Sequence, residues 1–117
     1  MATRTILTTE IPQRTTPILA ATFVDEAAAT ITSFTTVTMT LYDLDTGKVI
    51  NGNTATDVSA SVTAGVLALT LAAADTAMLD SSKARERHVA LFEFTWGSGR
   101  AGKHEITMDV VNLEKVA

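Results

Sequence analysis

His88 and His104 are the only histidines of this 117-residue chain. They stand on two arms of one extended stretch, with Glu86 and Glu105 close by in sequence, so a pairing across strands is conceivable. A zinc site needs three or four ligands in a tetrahedral array. Nothing in the spacing fixes these four side chains together, and the plainer reading is two partly exposed strand residues. Asp43-Leu44-Asp45-Thr46-Gly47 opens like a calcium loop, which needs alternating oxygens, glycine at its sixth place and a distant acidic closer. Here the glycine comes one place too early and no glutamate follows at the right distance, so a hairpin turn is expected.

Ser81-Ser82-Lys83 places a lysine beside two hydroxyls. Nucleophilic catalysis also needs a base held within hydrogen-bond reach and donors for an oxyanion. The segment carries no such loop and reads as a solvated connection. Gly97-Ser98-Gly99-Arg100-Ala101-Gly102 is glycine-rich, but phosphate cradles lead from a strand into a helix, whereas this run joins two strands. It reads as a hairpin tip, from which Arg100 and Lys103 can reach an acidic neighbour. Trp96 either caps one end of the core or anchors a subunit contact, where tryptophan is enriched. Val89 and Leu91 lie on the opposite face of the same strand from Ala90, Phe92 and Phe94. Two apolar residues on a face that would otherwise be wet point to a covered surface. Trp96, Val89, Leu91, Arg100 and Lys103 are therefore the candidate interface residues. No catalytic, cofactor-binding or metal-binding residue is assigned, and no cofactor is expected.

The elements that position these residues follow from side-chain alternation. Over His88–Asn112, Ala90, Phe92 and Phe94 alternate on one arm and Ile106, Met108 and Val110 on the other, as in two strands joined by a turn. Ile18–Asp25 is an early strand. Thr36–Tyr42 sets Val37, Met39 and Leu41 on one face and Thr38, Thr40 and Tyr42 on the other, so one face meets a core and one is wet. Turns are expected at Asp43–Lys48 and Asn51-Gly52. Asp57–Thr63 and Val66–Leu71 read as a hairpin about Ala64-Gly65. Ala72–Leu79 is the best helical segment, with Asp75 capping a single turn and Met78 and Leu79 plugging one end of the core. Asp80–Arg87 reads as a charged connection. About seven strands with frequent turn signals predict an all-β, antiparallel, immunoglobulin-like sandwich with one short helical turn. Residues 1–15 read as an extended N-terminal arm, with an edge strand at Thr5–Thr8. Residues 16–117 form the single sandwich domain.

Composition narrows the function classes. The chain has no cysteine, which excludes disulfides and thiolate metal sites. Hydrophobic residues make up 46% and charged residues 19%, a folding composition rather than a disordered one. Its net charge of -4 argues against sequence-blind binding to nucleic acid, despite a small basic group at Lys83, Arg85 and Arg87. No run is long enough for a signal peptide or a membrane span, so neither export nor a membrane partner is expected.

The early strand PILAATFVDE, the strand and turn VTMTLYDLDTGKVI, the turn ADTAML and the last pair HVALFEFTWGSGRAGKHEITMDVVNL come in an order that resembles small structural proteins of tailed bacteriophages. These include the amino-terminal domains of upper baseplate proteins and small neck or capsid accessory proteins. The resemblance spans Pro17 to Leu113 and is one of pattern. It implies a non-enzymatic virion component of the head, neck or tail, present in many copies and assembled in the host cytoplasm with other virion proteins. Baseplate relatives usually carry further domains, so the end of this chain at Ala117 favours an accessory role. A carbohydrate- or receptor-binding module is the alternative, with Trp96 and Tyr42 as its only stacking aromatics. A hydrolase using Ser82 or His88 is a third and weaker reading.

Overall fold

The computed structural model describes residues 2–7, 10–25, 27–80, 82–97 and 99–112. Among these, nine strands form two facing sheets with two 3₁₀ turns between them. The strands are β1 (Ala2–Ile6), β2 (Ile11–Pro12), β3 (Ile18–Thr22), β4 (Thr36–Asp43), β5 (Thr56–Asp57), β6 (Val62–Thr63), β7 (Val66–Thr70), β8 (Arg85–Trp96) and β9 (Arg100–Val111). The larger sheet runs β1-β9-β8-β4-β5, with β2 also pairing β9, and the smaller runs β3-β7-β6. The expected all-β sandwich is therefore present. Its strand count is higher than seven because several strands hold only two residues.

The β8–β9 hairpin is the spine. Its strands pair from Arg85↔Val111 to Trp96↔Arg100, and β8 pairs β4 from Thr36↔Thr95 to Asp43↔His88. The hairpin begins three residues before His88, so Arg85–Arg87, read as part of a connection, belong to β8. Every second residue of these strands faces the smaller sheet. Val37, Met39, Leu41, Ala90, Phe92, Phe94, Ile106, Met108 and Val110 are all buried in one core cluster. From the other sheet Leu19, Phe23, Leu67 and Leu71 close on them. Phe23 stacks on Phe94 at 4.6 Å between ring centroids, and Phe34 meets both rings edge-on.

The N-terminal segment is tied into the larger sheet. β1 and β2 pair β9 in parallel, as Ala2↔Lys103 to Ile6↔Thr107 and Ile11↔Val110. The edge strand thus lies at Ala2–Ile6 and not at Thr5–Thr8, and Thr8 is outside the described residues. Ile11 is buried in the core cluster and pins the segment down. Pro12 is tolerated because an edge strand need not donate on its outer side.

The predicted Asp57–Thr63 strand is divided. Thr56–Asp57 pairs β4 in the larger sheet, a 3₁₀ turn at Ser59–Ser61 redirects the chain, and Val62–Thr63 pairs β7 in the smaller. The hairpin about Ala64 and Gly65 exists but is short. Both turn residues have positive φ, 50° and 83°, as a two-residue type I′ turn requires. The second 3₁₀ turn, Ala73–Thr76, falls inside the helical segment expected at 72–79. Asp75 Oδ2 accepts from the Ala72 N–H at 2.9 Å, as a cap should. Met78 is buried, whereas Leu79 is exposed and plugs nothing.

Candidate functional site

The same alternation that builds the core carries polar residues into it. Asp43 continues the Val37, Met39, Leu41 series. Glu86 and His88 precede Ala90, Phe92 and Phe94 on the inward face of β8. Asp43 lies directly opposite His88 in the β4–β8 register. All three are buried, with His88 fully inaccessible and Asp43 2% exposed. One donor atom from each lies within 4.8 Å of the others.

The local turns fix this trio. Asp43 Oδ2 accepts from the Thr46 N–H at 3.1 Å and from its hydroxyl at 2.8 Å. Gly47, at φ 74°, closes the turn by donating to the Asp43 carbonyl. Glu86 Oε1 accepts from the Leu79 N–H at 2.8 Å and lies 2.9 Å from His88 Nε2, and Oε2 accepts from the Asp80 N–H at 2.7 Å. Among the described residues, two buried atoms of the trio have no hydrogen-bond partner, Asp43 Oδ1 and His88 Nδ1.

The histidines do not pair with one another. Both are buried, against the expectation of partial exposure, because both fall on inward positions of their strands. Phe92 is the residue opposite His104, so the two histidines are four strand residues apart, about 14 Å. His104 Nε2 lies 2.9 Å from the Thr5 hydroxyl, and its ring sits 5.8 Å from that of Phe23. Burial lowers its pKa from 6.5, with the nearby Glu105 carboxylate acting weakly in the other sense. Glu105 itself points to the outer face and pairs Arg4 at 3.1 Å.

The remaining sequence candidates are dispersed. Ser82 donates to Asp80 Oδ1 in a local turn, with no base aimed at it among the described residues, and Ser81 lies outside those residues. Gly97 and Gly99, both at positive φ, form the hairpin tip, and Ser98 is not described. Arg85 and Arg87 are not a free basic patch, since they pair Glu10 at 2.8 Å and Asp109 at 3.0 Å.

The expected interface residues divide by burial. Val89 is 2% exposed within the single chain, so it presents no surface to a neighbour. The residues opposite it are Tyr42 and Thr107. Its covering therefore comes from this chain, which corrects its place among the interface residues. Leu91 is half-buried on the same face. Trp96 packs against the core end at 5.7 Å from Phe94, and the exposed Arg100 lies 5.4 Å over its ring. Lys103 is exposed, 4.0 Å from a Glu93 carboxylate oxygen. Trp96 and Tyr42 lie on opposite faces of the sheet near opposite ends of β8, so they form no shared stacking platform.

A surface that the sequence reading passed over is the outer face of β3-β7-β6. Ile18, Ala20 and Thr22 stand beside Thr70, Ala68 and Val66, with Thr63 at the far edge. All seven are exposed and none is charged. Ile18 is 66% and Val66 46% exposed. The edge of β3 away from β7 has no strand partner among the described residues. Its bonds to β7 use the odd residues, as Phe23 N–H to Gly65 O and Leu71 N–H to Pro17 O show at the two ends. Antiparallel alternation then turns the N–H and C=O groups of Ile18, Ala20 and Thr22 to the open side. The alternation of Ile18, Ala20 and Thr22 was the available signal for this face.

No protein-family model matches the chain, nor does any of the curated proteins or solved structures compared with it.

Proposed function

We propose that the chain is a non-enzymatic structural subunit of a tailed-bacteriophage virion, working through contacts between copies. The observation that carries this reading is the uncharged outer face of β3-β7-β6 beside the open edge of β3. An unpaired edge is a template for another strand, and chains that do not use one usually guard it with lysine, proline or a bulge. β3 has none of these over Ile18–Thr22. The partner it fits is a second copy. A chain of net charge -4 meets itself most cheaply where it carries no charge. A two-fold axis at Ala20 sets Ala20 opposite Ala20 of the other copy and Ile18 opposite Thr22, extending the sheet from three strands to six.

The particle itself comes from the likeness of the strand and turn order to small phage structural proteins. Head, neck and tail accessory positions all suit such a subunit, with other virion proteins as further partners. Mass spectrometry of purified virions tests the assignment. The protein is expected there in many copies, and its absence from the particle contradicts the reading.

A further inference from the structure

We infer that Asp43, Glu86 and His88 form a buried site for a divalent transition-metal ion of the zinc class, held by Asp43 Oδ1 and His88 Nδ1, with Glu86 as the positioning carboxylate. This goes beyond the subunit role and does not depend on it.

The hydrogen-bond network assigns the histidine tautomer. Both Glu86 oxygens accept from backbone N–H groups, and with Glu86 as an acceptor the ring nitrogen 2.9 Å from its Oε1 carries the proton. That nitrogen is Nε2. In the neutral ring Nδ1 then holds a lone pair, and this is the atom without a partner. Asp43 Oδ2 is occupied by Thr46, which leaves Oδ1 as the second unpartnered atom. Two acceptors thus belong to one buried group of side chains, and neither has a donor among the described residues. Buried polar atoms are rarely left so, and each exception calls for a cause.

Charge selects the occupant. The trio brings two carboxyl groups and an imidazole into one buried space, where charge must be paired or bind a metal. The ion pairs of the described residues place no Lys or Arg nitrogen on Asp43 or Glu86. A divalent cation can pair with two carboxylates at once, which a single proton cannot. Mixed imidazole and carboxylate donors suit zinc and its neighbours, whereas calcium and magnesium prefer oxygen alone. A histidine whose other N–H is held by a carboxylate is also the usual arrangement behind a metal, because the carboxylate orients the ring and raises its basicity. Glu86 is itself held by the Leu79 and Asp80 N–H groups, so it is rigid enough for that work. A surface depression lined by Leu44, Asp45, Arg85, Glu86, Arg87 and Asp109 reaches the trio at Glu86, and water would fill the coordination positions that Asp43 and His88 leave open.

The test is zinc titration of the full chain, freed of metal by a chelator, using calorimetry and ¹⁵N NMR of the imidazole nitrogens. One ion per chain is expected, with His88 Nδ1 shifting on binding, His88 Nε2 remaining protonated and the His104 nitrogens unmoved. Asp43→Asn is expected to weaken binding at least about 100-fold, and Glu86→Gln about 10- to 100-fold. Circular dichroism checks that each variant is folded. The NMR measurement on the unaltered chain stands even if a variant is not. Absence of zinc binding at 1 mM, or binding that leaves His88 Nδ1 unshifted, overturns the site. A resting His88 protonated on both nitrogens and unchanged by zinc does the same, since a proton then fills the gap.

Discussion

Gly102 sits directly opposite Phe94 across the β8–β9 hairpin, and a methyl group at position 102 would lie 2.7 Å from the Phe94 ring. The ring has little room to yield. It is stacked on Phe23 and touched by Phe34 and Trp96. The glycine is there to let an aromatic ring lie across the neighbouring strand. Gly102→Ala is therefore expected to destabilise the fold by about 1–3 kcal/mol, the usual cost of overpacking. Urea unfolding followed by tryptophan fluorescence measures it, and an unchanged midpoint would remove this role for the glycine.

A larger effect is expected at Gly65. Its φ is +83°, and an added Cβ would lie 2.2 Å from the Ile31 carbonyl oxygen. That oxygen is backbone, so relief requires the chain itself to move. Gly65→Ala should cost more than Gly102→Ala, with both strain and clash contributing. The same unfolding experiment ranks the two variants, and the reverse order would contradict the close packing of 30–31 on the turn.

Thr76 joins the N-terminal segment to the second 3₁₀ turn. Its fully buried hydroxyl donates to the Thr15 carbonyl at 2.8 Å and accepts from the Thr15 N–H at 2.9 Å. Thr76→Val keeps the shape and removes both bonds, for an expected loss of about 1–2 kcal/mol. Hydrogen exchange at Thr15 should quicken in the same variant. Unaltered protection there would show that the hydroxyl does not hold the segment.

His104 makes stability depend on pH. Burial lowers its folded-state pKa below the 6.5 of the unfolded chain. Between those two values the unfolded chain binds the proton and the folded chain does not, so stability rises with pH there. The contribution is full above about 6.5 and shrinks as pH falls toward the folded value. An NMR titration of the His104 ring should give a midpoint below 6.5. A midpoint above it would mean that the ring is solvated or held as a cation.

The long strands were legible because their alternation is unbroken. Val37, Met39 and Leu41, and then Ala90, Phe92 and Phe94, mark one face at every second residue. The division of residues 57–63 was not legible. Val58, Ala60 and Val62 keep the period of a strand, yet Val58 stays with the larger sheet and Val62 crosses to the smaller, and no glycine or proline marks the crossing. The N-terminal strand was hard to place because threonine-rich polar sequence carries no inward series, and parallel pairing with β9 leaves no turn signal. The buried trio was written in the sequence but weighed wrongly. Asp43, Glu86 and His88 occupy core positions by parity, yet Asp43 reads as a turn residue, Glu86 as part of a charged connection and His88 as partly exposed. The uncharged outer face of β3-β7-β6 was hard to see for the opposite reason, since alanine and threonine on a wet face look unremarkable one at a time.

Copy-to-copy joining through β3 is tested most directly by sedimentation of the purified chain beside Ala20→Pro. Proline at 20 removes an N–H that faces the open edge and leaves the β3–β7 bonds intact. The unaltered chain is expected to gain mass above 12.4 kDa as concentration rises, with Ala20→Pro staying at that mass and keeping its β-sheet spectrum. An unaltered chain that remains at 12.4 kDa up to millimolar concentration, or an Ala20→Pro chain that associates equally well, would contradict the account.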